Sequence, residues 1–139
     1  MVKFTRNYSI ILAAVVVTAL IWVRYESPGV AKLNTLLSEN TDLAAYPYRF
    51  RVLSLEDGVA TVSTPRSAEF PAYRALAILY PQLRGISPDS SAMFDAQQEM
   101  ARVQGIARNI VAKSDDVNRV MWQLDENWLL SEGVDLSEL

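Results

Sequence analysis

The side chains that could carry chemistry in this chain are carboxylates, Lys, Arg, Tyr and Ser, because it contains neither histidine nor cysteine. Without histidine there is no Ser-His-Asp triad, no His-ligated metal and no ordinary general base near neutral pH. Without cysteine there is no thiol catalysis, disulfide, thiolate zinc site or iron–sulfur cluster. Asp95 and Glu99 are four residues apart in a helical stretch and could share a divalent cation. Arg102 follows Glu99 at a spacing of three, which favours a solvated ion pair instead. Glu69 lies between Arg66 and Arg74, but nothing nearby supplies a nucleophile. Asp115–Asp116 and Asp125–Glu126 are sequence neighbours, whose side chains point apart, so they read as helix caps rather than ligands. Gly85 and Gly105 are isolated, so there is no phosphate loop. These patterns give no catalytic residue, no cofactor site and no metal site.

The residues with binding potential are Arg49, Arg51, Met93, Met100 and Trp128. Arg49 and Arg51 could hold an anion or a lipid head group, although their alternation equally suits the solvated face of an outer strand. Met93 and Met100 belong to an apolar stripe with Ala96, Val103, Ala107 and Ile110, spaced three, four, three, four, three. Such a stripe serves either an oligomerisation helix or a helix packed on its own domain. Trp128, if exposed, would mark a partner groove, and if buried a core anchor. Trp122 and Tyr73 read as core anchors.

Positioning these residues requires several elements. The most distinctive is the run Ser9–Val23, uncharged throughout, with Lys3 and Arg6 before it and Arg24 after it. Its fifteen residues would rise roughly 22 Å as a helix. Extension through Tyr8 and Tyr25 brings the span nearer the roughly 30 Å of a hydrocarbon core. Ile10, Ile11, Leu12, Val15, Val16, Val17, Leu20, Ile21 and Trp22 would face lipid, with Tyr8, Trp22 and Tyr25 at the interfaces. A buried core helix fits poorly, since Val15–Leu20 has only Thr18 as a polar residue. A cleaved signal peptide fits poorly too, since the small-x-small site Gly29–Val30–Ala31 lies behind Arg24, Glu26 and Pro28. With no cysteine after the run, a lipidated terminus is excluded. The expectation is an uncleaved anchor, residues 1–25, with the N-terminus in the cytoplasm by the positive-inside rule and the rest exported.

The exported part, residues 26–132 followed by an acidic tail at 133–139, is of single-domain size. From Arg24 onward it carries eleven Lys and Arg, the thirteen of the chain less Lys3 and Arg6, against all sixteen Asp and Glu. An acidic surface argues against nucleic acid as a partner. Ser27–Pro28 opens a helix over 28–39, with Val30, Leu33 and Leu37 on one face and Leu36 beside them. Tyr48–Leu55 alternates as a strand, Asp57–Gly58 signals a hairpin turn, and Val59–Thr64 returns. Ser67 is expected to cap a second helix, and Ser87–Pro88–Asp89 a third over 88–113. Val117–Leu124 reads as a third strand, and Asp125 as the cap of a short last helix stopped by Gly133. The final VDLSEL is expected to fray. The expected fold is α+β: a transmembrane helix, then a two-layer αββααβ(α) domain with a three-stranded sheet.

Gly58, Val59 and Val62 in the hairpin, with Val117, Val120 and Leu124 in the last strand, resemble the BON domain of bacterial envelope proteins. That family reads Gly-Val-x-x-Leu-x-Gly and then Val-x-x-Val-x-Asn-x-Leu. Thr64 stands at the second glycine, Trp122 at the asparagine, and the helix over 88–113 would be an insertion. The resemblance implies a non-catalytic envelope module that binds or scaffolds. The expectation is therefore an inner-membrane protein whose domain sits in the periplasm and binds a protein partner or itself. An accessory subunit of a larger membrane complex and a carboxylate-based, metal-dependent envelope enzyme remain the alternatives.

Overall fold

The computed structural model describes residues 2–24 and 27–139. Helix α1 (Val2–Arg24) is followed by α2 (Pro28–Glu39), α3 (Thr41–Ala45), and strands β1 (Val52–Glu56) and β2 (Val59–Thr64). Then come α4 (Ala72–Leu79), a 3-10 turn at Pro81–Leu83, α5 (Ser91–Ala112), β3 (Arg119–Leu124), α6 (Glu126–Ser131) and a last 3-10 turn at Leu136–Glu138. The class is α+β with one three-stranded sheet, ordered β1-β2-β3.

The helix starts follow their capping chemistry. The Ser27 side chain accepts the Val30 N–H at 3.3 Å, and Pro28 occupies the first turn. Asn40 closes α2 and opens α3, its side chain accepting the Leu43 N–H at 3.1 Å. That second role starts helix α3 at Thr41, directly after the helix expected over 28–39. The long helix starts later than expected. Ser87 Oγ accepts from the Asp89 N–H in a turn, and Ser90 caps α5 through the Met93 N–H. Ser67 caps no helix either. Its hydroxyl accepts the Phe70 N–H, and α4 starts only after Pro71.

The hairpin forms as its sequence dictates. Asp57 and Gly58 have φ of 50° and 77°, both left-handed, which is the twist-matched two-residue turn. The Gly58 carbonyl then accepts from Asn118 N–H at 2.7 Å and Arg119 N–H at 3.1 Å, docking the start of β3 against the turn. A Cβ on Gly58 would run into the Asn118 side chain. Strand β1 pairs antiparallel with β2, and β2 pairs parallel with β3 in unbroken register from Val59↔Arg119 to Thr64↔Leu124. A parallel pair needs a long crossover, here the segment containing α4 and α5.

Strand β1 is shorter than its alternation suggests. Tyr48, Phe50 and Val52 are buried and Arg49 and Arg51 exposed, as period two requires. Only Val52 onward joins the ladder, because Ser63 diverts it. The Ser63 hydroxyl accepts the Arg51 N–H at 3.0 Å, the Ser63 N–H donates to the Arg51 carbonyl at 2.8 Å, and the register shifts between Val52 and Ser54.

The core gathers Leu33 from α2, Val62 from β2, Phe70, Leu76 from α4, Met100 and Val103 from α5, and Leu129 from α6. Each such side chain contributes about 1.5–3 kcal/mol on leaving water. On α5 the buried line runs Met93, Met100, Val103, Ala107, Val111. It ends on Val111 rather than Ile110, the drift expected of a straight 3.6-residue helix. After Gly133, the Val134 N–H donates to the Leu129 carbonyl, and Val134 and Leu136 pack against the core. The C-terminal segment is thus partly docked instead of frayed. Tyr73, expected in the core, is exposed on α4.

Candidate functional site

Helix α1 is the first candidate. Its 23 residues span about 34 Å, enough for the roughly 30 Å hydrocarbon layer. Thr5–Trp22 is the segment long and apolar enough to cross a membrane, and none of it is buried against the domain. Exposure runs from 50% at Val16 to 78% at Trp22, with Ile10, Ile11, Leu12, Val15, Val17, Leu20 and Ile21 between. A core helix would be covered by its own chain, so that role does not fit. Two hydroxyls within the segment bond back along the helix, Ser9 to the Thr5 carbonyl at 3.0 Å and Thr18 to the Ala14 carbonyl at 2.7 Å. Such back-bonding satisfies both of them without water. Tyr25, expected at the interface, lies outside the described residues.

The second candidate surrounds the two arginines. Arg49 and Arg51 border a concavity of about 340 Å³, with Asn34 and Ser38 on its other polar side and Leu37, Leu43 and Phe50 in its lining. Arg49 makes no ion pair among the described residues, whereas Arg51 lies 4.0 Å from Asp125 with its side chain 54% exposed. That separation, in water, is a weak attraction.

Asp125 is held more firmly from the other side. Its carboxylate accepts the Tyr48 hydroxyl at 2.8 Å and the Trp128 N–H at 3.0 Å, capping α6. The Tyr48 ring stacks edge-on to Phe50 at 4.9 Å and Trp128 at 5.2 Å. Burial, with a smaller push from the Asp125 carboxylate, holds the Tyr48 phenol above its ordinary 10.0. The node ties the segment before β1 to the end of β3 and fixes Trp128, which is half-buried, against Tyr48. Sequence reasoning found the cap at Asp125 but not its tyrosine, which is 77 residues away.

For Met93 and Met100 the stripe leaves open a partner surface or packing within the domain. They lie in the core, 1% and 0% exposed, where α5 packs on α2 and α4, and present nothing to an outside partner. The acidic groups do not converge: among the described residues no three of them could hold a metal ion. Glu99 takes a two-pronged bond from Arg102 at 2.7 and 2.9 Å, which holds its carboxyl below the usual value. Glu69 accepts from the Ser67 hydroxyl, Arg66 Nε donates to Gln104, and Arg74 stacks over the Phe70 ring at 4.6 Å. These are local bonds within the fold. The buried Tyr46 hydroxyl has no hydrogen-bond partner among the described residues. Burial, with Tyr80 and Glu99 nearby, raises its phenol too.

Asn34 was not singled out by the sequence reading. Its side chain accepts the Val52 N–H at 2.7 Å and donates to the Val52 carbonyl at 3.1 Å, bridging α2 to the outer side of β1. A signal existed, since Asn34 follows Leu33 at the margin of an apolar helix face. No family model, curated protein or solved structure matches this chain.

Proposed function

We propose that the protein is a single-pass inner-membrane protein whose domain, residues 26–132, binds or scaffolds other envelope components from the periplasmic side. The observation that carries this reading is α1, a helix of membrane-spanning length that no part of the domain covers. Lys3 and Arg6 before the span, against Arg24 and Glu26 after it, favour a cytoplasmic N-terminus. Lipid is the first partner, contacted by Ile10, Ile11, Leu12, Val15, Val16, Val17, Leu20, Ile21 and Trp22. A domain without histidine or cysteine is better suited to recognition than to proton transfer or nucleophilic attack. The resemblance of its hairpin and last strand to BON modules favours the same role. Arg49 and Arg51, around an open concavity on an otherwise acidic domain, are the residues through which an anionic group would be held.

The test is extraction of membranes carrying the full chain. The protein is expected to stay in the pellet through an alkaline carbonate wash and to leave it only with detergent. Release by carbonate alone would remove the tether and the reading with it.

A further inference from the structure

The two outer strands of the sheet are finished differently. At β1 the Asn34 amide lies along the strand and makes both bonds to Val52 that a neighbouring strand would make. That edge is stoppered. At β3 no group does this. The bonds from Arg119 N–H to Gly58 and from Asp125 N–H to Thr64 set the alternation of the parallel ladder. Arg119, Met121, Gln123 and Asp125 turn their N–H groups toward β2. Val120, Trp122 and Leu124 turn theirs outward, and no group among the described residues bonds to them there.

The core is incompletely closed along the same margin. Val120, Trp122 and Leu124 on β3, with Ile106 and Ile110 on α5, are only partly buried. The strand lacks the protections that unpaired edges carry: it has no proline, no bulge and no inward charge.

We propose that the β3 edge is a self-association surface, on which two copies pair β3 to β3 antiparallel and join their sheets into one of six strands. This goes beyond the membrane reading and does not depend on it. A second copy is the occupant because the strand is complementary to its own reverse. One end carries the exposed Arg119 and the other the exposed Glu126, while Asp125 is engaged by Tyr48 and the cap of α6. Outward-bonding residues must face each other across an antiparallel pair. The register centred on Trp122 meets that condition and places Val120 opposite Leu124 of the second copy. Apolar side chains then meet on the inner face, and Arg119 comes next to the exposed Glu126 of the second copy. Met121 and Gln123 become a non-hydrogen-bonded pair, whose Cα atoms stand about 4.5 Å apart, within disulfide reach.

The test uses the full chain in mild detergent, where the absence of native cysteine leaves only introduced thiols. Met121→Cys and Gln123→Cys copies with different tags, co-expressed and then oxidised, should give about tenfold more mixed disulfide than Glu56→Cys copies on the β1 edge. Light scattering should find two chains per particle for the unmodified protein. It should find one for Val120→Pro, which loses an outward N–H that β2 does not use. Should Val120→Pro fail to fold, the crosslinking comparison still decides. A monomeric unmodified protein overturns the proposal, as does a monomer that instead takes up an unrelated strand. Crosslinks as strong from Glu56→Cys also overturn it. Loss of the membrane tether would leave these crosslinks unchanged, and a monomer would leave membrane retention unchanged, so the two readings fail separately.

Discussion

Helices α1 and α5 are nearly equal in length, 23 and 22 residues, yet they meet opposite surroundings. On α5 the apolar residues form one stripe, which is buried, while Asp95, Arg102 and Arg108 lie on exposed positions and Glu99 is half-buried. On α1 the apolar residues go all the way round from Ile10 to Trp22, and every one is exposed. Length therefore says little about a helix's destination; the arrangement of its apolar side chains says more. A stripe can be covered by one neighbouring layer, whereas an unbroken apolar cylinder needs an apolar solvent on every side. On the proposed reading this difference separates what holds the protein in the membrane from what holds the domain together, and the two can be perturbed independently.

The largest effect is expected in α1. Val16→Arg with Val17→Arg adds two charges at mid-span, each costing about 2.5–3.5 kcal/mol on insertion scales. Fractionation should find the variant largely outside the membrane. The melting temperature of its domain should not change, since none of Thr5–Trp22 is buried against the domain. Next comes the mirror experiment on α5. Met100→Ala, at a fully buried position, should cost about 2–5 kcal/mol in denaturant unfolding and leave membrane retention intact. A variant that changed both readouts together would break the separation.

A smaller effect is expected at the node that ties β1 to α6. Tyr48→Phe removes the bond to Asp125 and should cost about 1–3 kcal/mol, because the carboxylate stays buried with one partner fewer. The same residue sets an alkaline limit. Its folded phenol ionises above the ordinary 10.0, so the folded state holds a proton that the unfolded state gives up. Stability from this source is complete below about pH 10 and declines above it. The alkaline decline should be shallower in Tyr48→Phe, measured by unfolding from pH 8 to 11. The smallest effect is expected at Arg102→Ala, which breaks an exposed pair with Glu99 on the outside of α5 and should not measurably change unfolding.

Local signals were legible in the sequence to the extent that they are local. Ser27–Pro28 at the start of α2, Asp57–Gly58 at the hairpin, the bounds of β2 and the Asp125 cap all act within four residues. Ser67 and Ser87 misled because a serine can accept from a backbone N–H in a simple turn as readily as at a helix start. The start of β1 could not be read because Ser63, twelve residues on, bonds the backbone of Arg51. The candidate surface was legible in part. Arg49 and Arg51 are exposed as period two demands, while Met93 and Met100 turned inward because α2 and α4 cover the stripe on α5. Which helix covers a stripe depends on tertiary packing, and periodicity alone does not carry it. The pairing of Asn34 with Val52 and of Tyr48 with Asp125 belongs to the same long-range class.

The central claim is that α1 spans the membrane and leaves its two ends on opposite sides. A cysteine-free chain allows a direct measurement: Asn7→Cys and Ser137→Cys, each the sole thiol, probed in intact cells with a maleimide that crosses the outer membrane but not the inner one. The account predicts that Ser137→Cys is labelled at once and Asn7→Cys only after the cells are lysed. Labelling of Asn7→Cys first, or of both positions only after lysis, would contradict it.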